Sequence, residues 1–148
     1  MSEPFVAVRL IQRQDFQFDN RFADNQPPLL TDEPAPLGHG VGPEPERLLA
    51  AAVGNCLSAS LLFALRKFKQ QPEPLSCEVS VDVGRNADKR MRVLGLNAKL
   101  TLGVPAASLE HLERVLATFE DFCTVTASVR AAIPVGVTVF DALGARLK

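Results

Sequence analysis

The chain lacks tryptophan and tyrosine, and it has no excess of either charge. Of its 148 residues, 16 are Lys or Arg and 17 are Asp or Glu, and neither sign gathers into a stripe. Proteins that bind nucleic acid usually carry a clustered basic patch, so we expect no nucleic-acid partner. Aromatic stacking would depend on nine phenylalanines alone.

Export signals and a disulfide framework are also lacking. The N-terminus MSEPFVAV has no basic segment followed by a long apolar run, so we expect no signal peptide. Three cysteines, an odd number, argue against a set of paired disulfides and for a reducing compartment. We therefore expect a cytoplasmic protein with a single domain over residues 1–148, a length sufficient for a real core.

The longest apolar stretch runs from Pro45 to Lys69 and has Cys56 near its middle. Pro45 suits the first turn of a helix, and no charged residue occurs between Leu48 and Leu65. The stretch predicts a long helix that is apolar on nearly all sides and buried in a core. Its length would also allow a membrane span, but polar residues such as Asn55 dilute it, so we expect no membrane association.

The segments before this helix predict a small sheet. Phe5 to Ile11 reads as a first strand, paired in a hairpin around Arg13 to Asp15 with a second strand that carries Phe16 and Phe18. Asp19-Asn20 would be a turn or bulge in the second strand, and Leu29-Leu30 a short third strand. Residues 31–46 are rich in Pro and Gly and predict an irregular loop, either functional or a plain connector.

The segments after the helix predict a second hairpin, two helices and a last strand. The strands are residues 76–83, 91–102 and 135–139, and the helices are residues 106–122 and 125–132. The whole order is β-β-β-α-β-β-α-α-β. This order predicts an α+β fold in which two mainly antiparallel sheets sandwich the central helix.

The three cysteines stand in different settings. Cys56 is either a small core residue or a reactive thiol, and a reactive thiol needs a local feature that lowers its pKa. Cys77 belongs to the apolar row of a strand, so we expect a core residue there. Cys123 comes just before a predicted helix N-terminus, where helix N–H groups favour a thiolate and lower the pKa.

Two of these cysteines lie in segments that resemble a known family. PEPERLLAAAVGNC resembles the stretch around the first cysteine of the OsmC/Ohr family, the osmotically inducible and organic-hydroperoxide-resistance proteins. FCTVTASVR, residues 122–130, resembles the second-cysteine motif of that family. The loop before the helix and the order of elements match as well, so the resemblance covers nearly the whole chain.

The resemblance implies a cysteine-based peroxidase that needs no metal or organic cofactor. The family's fold places two antiparallel sheets around a long buried helix in an intertwined homodimer. Cys56 matches the peroxidatic position and Cys123 the resolving position, with a disulfide between them as intermediate. The expected substrate is an organic hydroperoxide and the expected reductant a dithiol.

The resemblance also implies a glutamate–arginine pair. Glu46 matches the glutamate ten residues before the first cysteine, which orients a cation in the hydroperoxidase branch. Arg13 is the nearest match to the partner arginine, and Arg21 is the alternative. The hairpin here lacks the glycine of the family's arginine motif, which leaves the substrate open and indicates the OsmC-like branch.

A non-catalytic function is the alternative to a peroxidase. The chain would then be a non-catalytic OsmC-fold dimer that senses redox state or binds a small ligand, and an apolar setting would raise the pKa of Cys56 and leave it inert. His39 either lines the site or is simply exposed in its loop. His111 is expected on the surface, and no Cys/His spacing fits a zinc site.

Overall fold

The structure is a computed structural model that describes residues 6–148. The chain divides into two compact units, the first ending at Leu48 and the second running from Leu49 to Lys148. The boundary falls inside the long helix.

The first unit contains a three-stranded antiparallel sheet in the order β1-β2-β3. Its strands are β1 (Arg9–Gln14), β2 (Gln17–Arg21) and β3 (Leu29–Thr31). The predicted hairpin and the short third strand are confirmed. The first strand begins later than predicted, and Phe5 lies outside the described residues.

The predicted turn at Asp19-Asn20 is wrong, because both residues lie inside β2. Asn20 is buried, and its amide donates a hydrogen bond to Thr31 Oγ1 at 2.9 Å on the neighbouring strand. This hydrogen bond satisfies the polar side chain of Asn20 inside the sheet, so the residue can remain in a regular strand. The irregularity in the register falls instead between Gln12 and Gln14 of β1.

The loop that follows β3 has no regular element, as predicted, yet it is well organised. The buried Asp32 carboxylate accepts hydrogen bonds from the backbone N–H groups of Glu33, His39 and Val41. Burial raises the pKa of Asp32, but these three bonds outweigh it and hold the pKa below its usual value. Gly38 packs so closely that a Cβ there would lie 2.2 Å from the Glu33 carbonyl oxygen.

The long helix α1 spans Pro45–Lys67, close to the predicted range. The predicted burial of this helix in a core is confirmed for one face of the single chain. One stripe is buried, with the three- and four-residue spacing of a helix face: Ala50, Val53, Gly54, Leu57, Leu61 and Leu65. The opposite side is exposed, and Phe63 there keeps 68% of its surface accessible.

By length and apolar character alone, α1 could cross a membrane. Core helices of soluble proteins share this property, and Val53, Leu57, Leu61 and Leu65 are fully buried within the protein.

The second unit contains a three-stranded sheet in the order β4-β5-β6. Its strands are β4 (Ser76–Arg85), β5 (Met91–Thr101) and β6 (Val135–Phe140). β4 and β5 form the predicted antiparallel hairpin, whereas β5 and β6 are parallel, since the helices between them carry the chain back. The buried row Leu96, Ala98 and Leu100 joins the α1 stripe in one hydrophobic core.

The predicted continuous helix from Ala106 to Phe122 is wrong. It is broken into a 3-10 turn (Ala106–Ser108), helix α2 (Leu112–Thr118) and a second 3-10 turn (Phe119–Phe122). His111, with φ of 60°, lies at the break. The backbone N–H groups of Ala106 and Glu110 donate to the side chains of Asp141 and Gln70, bonds that local sequence does not reveal.

Helix α3 follows at Thr124–Arg130, close to the predicted range. Its last turn is tied down by Arg130, which pairs with Glu120 at 2.7 Å and donates to the Val135 carbonyl at 3.0 Å. Cys123 is therefore placed between two anchored segments.

Candidate active site

The structure brings the thiols of Cys56 and Cys123 together. Cys56 projects from α1, is half-buried and packs against the hydrophobic core. Cys123 is fully buried and immediately precedes α3. The two side chains are hydrogen-bonding neighbours, and the Cys56 thiol raises the pKa of the Cys123 thiol. A more accessible thiol thus lies next to a buried one.

Burial is the largest influence on Cys123 and raises the pKa of its thiol, and the neighbouring Cys56 raises it further. Hydrogen bonds with Thr126 lower the pKa, but they do not compensate. The helix N-terminus acts in the expected direction, through the backbone N–H of Thr126, but the net pKa of Cys123 is raised and not lowered. At neutral pH Cys123 is a protonated thiol, and its Sγ lies 2.9 Å from Thr126 Oγ1 as hydrogen-bond donor.

Thr126 is a functional candidate that reasoning from the sequence missed. Its side chain is fully buried, and its hydroxyl is the partner of the Cys123 thiol. A hydroxyl can accept from the thiol and can also donate to the thiolate. The signal in the sequence is the spacing, because residues three apart across the first helical turn lie on the same side.

Cys77 is half-buried and packs at the margin of the core, in line with the prediction. It packs against the hydrophobic cluster, and burial raises the pKa of its thiol although a hydrogen bond with Ser58 lowers it. Gly54, one turn before Ser58, packs closely on the same strand: a Cβ there would lie 3.5 Å from Cys77 Sγ. Helical periodicity places Cys56 on the opposite side of α1 from these two contacts.

Glu46 and Arg13 both belong to the first unit, and the structure does not pair them. Glu46 lies in the first turn of α1. Arg13 Nη1 lies 3.9 Å from Asp19 Oδ1 on the hairpin, and its side chain is largely exposed. Within residues 6–148, neither Arg13 nor Arg21 forms an ion pair with Glu46. The roles that the resemblance implies for these residues remain predictions.

The two histidines lie apart from the thiols along the chain. His39 is exposed in the loop, and its backbone N–H donates to Asp32 at 3.0 Å. His111 is exposed, as predicted, and its ring stacks on Phe68 with centroids 4.7 Å apart. In the part of the chain that the structure describes, no cluster of three or more His, Cys, Asp or Glu side chains could hold a metal ion.

Comparison with models of known protein families shows to which family the chain belongs. The model of the OsmC family, described as OsmC-like protein, matches residues 38–138, which include both cysteine segments and more than half of the chain. The chain belongs to the OsmC-like protein family. A comparison with curated proteins finds no significant match.

Solved structures share the OsmC fold of the chain over almost its whole length. An OsmC-like protein of unknown function from Vibrio cholerae is 18% identical with a TM-score of 0.77, and the match covers 95% of this chain and 100% of that one. The organic hydroperoxide resistance protein OsmC from Legionella pneumophila is 18% identical with a TM-score of 0.71, covering 94% and 98%. The organic hydroperoxide resistance protein OhrB of Bacillus subtilis is 15% identical with a TM-score of 0.70, and the match covers 91% of this chain and 97% of that one.

The expected fold is thereby confirmed. The OsmC-like chain is a mixed α+β protein with two three-stranded sheets and a long central helix. The identities are low, so these structural likenesses concern the fold alone.

Proposed function

We propose that this OsmC-like protein is a thiol peroxidase that reduces organic hydroperoxides. The observation that carries the proposal is the contact between a half-buried and a fully buried cysteine, Cys56 and Cys123. Family membership and the organic hydroperoxide resistance proteins among its structural neighbours support a role with peroxides.

In the first step the Cys56 thiolate attacks the terminal oxygen of the hydroperoxide ROOH. A sulfur–oxygen bond forms and the oxygen–oxygen bond breaks, so Cys56 becomes a sulfenic acid and ROH leaves after taking a proton. The sulfur is oxidised by two electrons and the peroxide is reduced by two. No metal or organic cofactor enters this balance.

In the second step the sulfur of Cys123 attacks the sulfenic sulfur of Cys56. A disulfide forms and water leaves, with the Cys123 proton and the sulfenic hydroxyl as its parts. An external dithiol then reduces the disulfide by exchange and returns both thiols. The sulfenic acid would thereby be kept from further, irreversible oxidation.

The environments of the two thiols support this order of events. Cys56 retains exposed surface, so a peroxide can reach it, whereas Cys123 is fully buried. Burial raises the pKa of Cys123 and keeps it protonated at neutral pH, which makes it a poor first nucleophile. Its contact with Cys56 supports the proposal that it reacts instead with an oxidised Cys56.

We also propose that the protein works as a homodimer in the cytoplasm. All six residues of the edge strand β1 are exposed, and Leu10 there keeps 56% of its surface accessible. Phe63 on the open side of α1 keeps 68%. Exposed strand edges and apolar surface favour pairing with another chain. The pairing of Glu46 with Arg13 or Arg21 next to Cys56 belongs to the same proposal.

Cysteine variants test the proposed function. Reduced protein is mixed with cumene hydroperoxide and dithiol, and peroxide consumption and the mass of the Cys56 peptide are followed. We expect Cys56→Ser to abolish consumption. Cys123→Ser should complete one turnover and then accumulate sulfinic acid on Cys56, since no thiol remains to condense with the sulfenic acid.

Folded wild-type protein with both thiols free and dithiol present gives the decisive control. If it consumes no peroxide, the peroxidase proposal fails, and the non-catalytic OsmC-fold protein that senses redox state or binds a small ligand takes its place. A loss of consumption in Cys123→Ser equal to that in Cys56→Ser, from the first turnover, would contradict the assigned order of attack.

A further inference from the structure

Glu120 lies three residues before Cys123, in the second 3-10 turn, and its carboxylate contacts two cations. Its Oε1 atom accepts a hydrogen bond from Arg130 at 2.7 Å, and its Oε2 atom accepts one from Lys148. Only 14% of the Glu120 side chain is exposed, so both ion pairs are partly shielded from water. Ion pairs that form a network in such a position contribute more than isolated surface pairs.

Arg130 holds the segment that follows Cys123. It is the last residue of α3, which begins directly after Cys123, and it also donates to the Val135 carbonyl at 3.0 Å. Val135 is the first residue of β6, which pairs with β5. The ion pair between Arg130 and Glu120 therefore links the segments on both sides of Cys123 to the sheet.

Lys148 holds the segment that precedes the buried thiol. Besides Glu120, its ammonium group donates to the Leu116 carbonyl at 2.9 Å and lies 5.2 Å from the centroid of the Phe119 ring. The backbone N–H of Lys148 donates to the Val139 carbonyl at 3.2 Å, and the Val139 N–H donates to the Lys148 carbonyl at 3.1 Å. This one residue thus connects the end of α2 and the second 3-10 turn to β6.

The backbone of Cys123 bonds to both of these segments. Its N–H donates to the Glu120 carbonyl at 3.1 Å, and its carbonyl accepts from the Ala127 N–H at 2.9 Å in α3. A 3-10 turn has weaker hydrogen-bond geometry than an α-helix, so its position depends more on contacts from outside. A displacement of either segment would therefore move the Cys123 sulfur relative to Cys56.

We propose that Glu120 and Lys148 are positioning residues for the Cys56–Cys123 redox pair. The Glu120 carboxylate, with Arg130 and Lys148, forms a clamp on the two segments beside Cys123. The inference rests on the proposed function for the reaction in which the two thiols take part. The clamp keeps the thiols in contact and gives each a high effective concentration at the other, so the disulfide forms before Cys56 is oxidised further.

The equilibrium between the two thiols and their disulfide measures this positioning without any peroxide. Cys77→Ser protein, which keeps only these two thiols, is equilibrated with glutathione. Each disulfide formed consumes one oxidised glutathione and releases two reduced ones. We expect the equilibrium constant to fall about tenfold in Glu120→Gln and about threefold in Lys148→Gln. Lys148→Arg keeps the charge and should retain most of the constant.

The direction of the two effects separates positioning from charge. Glu120→Gln removes a negative charge and Lys148→Gln a positive one, so an electrostatic influence on the thiols would change the equilibrium constant in opposite directions. Loss of the clamp lowers the constant in both variants. The double variant should lose no more than Glu120→Gln alone, because both changes act through one carboxylate. Arg66→Gln breaks the Arg66–Glu73 pair elsewhere in the same unit and should leave the constant unchanged.

The two chemical steps are then followed in the same variants with one equivalent of cumene hydroperoxide. Mass spectrometry should show that the sulfenic acid on Cys56 forms at the wild-type rate, whereas its conversion to the disulfide slows in Glu120→Gln and Lys148→Gln. If wild-type protein reduces no peroxide while the equilibrium constants fall as expected, the proposed function fails and the clamp stands. If peroxide is reduced while the constants do not change, the clamp fails and the proposed function stands.

Three results would overturn the clamp. The equilibrium constants of Glu120→Gln and Lys148→Gln could equal that of the parent protein, the two constants could move in opposite directions, or Arg66→Gln could lower the constant as much. Circular dichroism at the assay temperature checks that each variant is folded. If Glu120→Gln does not fold, the comparison of Lys148→Gln with Lys148→Arg decides the question, and equal constants in these two variants would refute the proposal.

Discussion

Replacing Thr126 by valine tests how Cys123 becomes a nucleophile. Valine keeps the shape of threonine but removes the hydroxyl that lies 2.9 Å from Cys123 Sγ. The pKa of Cys123 is already raised above its reference value of 9.0, so less than about 1% of it is thiolate at pH 7. The hydroxyl lowers this pKa by donating to the thiolate, and its removal shifts the balance further towards the thiol.

The size of the effect follows from two opposing terms. A hydrogen bond to a charged group contributes about 1.5–3 kcal/mol, so its loss lowers the thiolate population about 10- to 100-fold. A thiolate of higher pKa is a better nucleophile, and this recovers about half of the loss on a logarithmic scale. We therefore expect disulfide formation in Thr126→Val to slow roughly 3- to 10-fold.

Rapid quenching with a thiol-blocking reagent, followed by mass spectrometry, measures this step directly. One equivalent of cumene hydroperoxide is added, and the Cys56 sulfenic acid, sulfinic acid and Cys56–Cys123 disulfide are quantified over time. Thr126→Ser keeps the hydroxyl and should retain most of the rate. Thr124→Val changes an exposed threonine of the same helix and serves as the matched control.

The reasoning would be refuted if Thr126→Val formed the disulfide as fast as wild type. An equal slowing in Thr126→Ser or Thr124→Val would also refute it, because the effect would then come from packing or from α3 in general. Excess sulfinic acid at Cys56 in Thr126→Val alone is the signature that we expect.

Three further predictions concern the rest of the molecule. Cys77→Ser should leave peroxide consumption within about twofold of wild type, as measured with cumene hydroperoxide, because Cys77 faces Ser58 on the far side of α1. Glu120→Gln should lower the free energy of unfolding by about 1–2 kcal/mol in urea at pH 7, since Glu120 pairs with Arg130 and Lys148. Burial raises the pKa of Glu120, but Arg130 and Lys148 lower it more, so the folded pKa lies below the unfolded value near 4.5. The stabilisation by Glu120 is therefore present above the unfolded pKa and is lost as the pH falls through the folded pKa. A difference in unfolding free energy between wild type and variant that persists at pH 3 would contradict this. Sedimentation at micromolar concentration should give a dimer, and a monomer there would exclude the proposed assembly.

Local sequence patterns were sufficient for most of the secondary structure. Alternation over residues 76–83 and 91–102 predicted β4 and β5, and Pro45 marked the first residue of α1. These elements follow from periodicity and from backbone restrictions that act between near neighbours. The pairing of Cys56 with Cys123 was different, because it came from the family resemblance and not from any local pattern.

Other features depended on contacts between residues that are distant in the chain. The predicted helix from residue 106 is interrupted where the backbone N–H of Glu110 donates to the side chain of Gln70, forty residues earlier in the chain, and not to a carbonyl of its own helix. The pKa of Cys123 shows the same dependence. Its place before α3 predicted a lowered value, but complete burial and the neighbouring Cys56 raise it. A sequence locates a thiol at a helix terminus, whereas only the packed core determines how much water and which charges surround it.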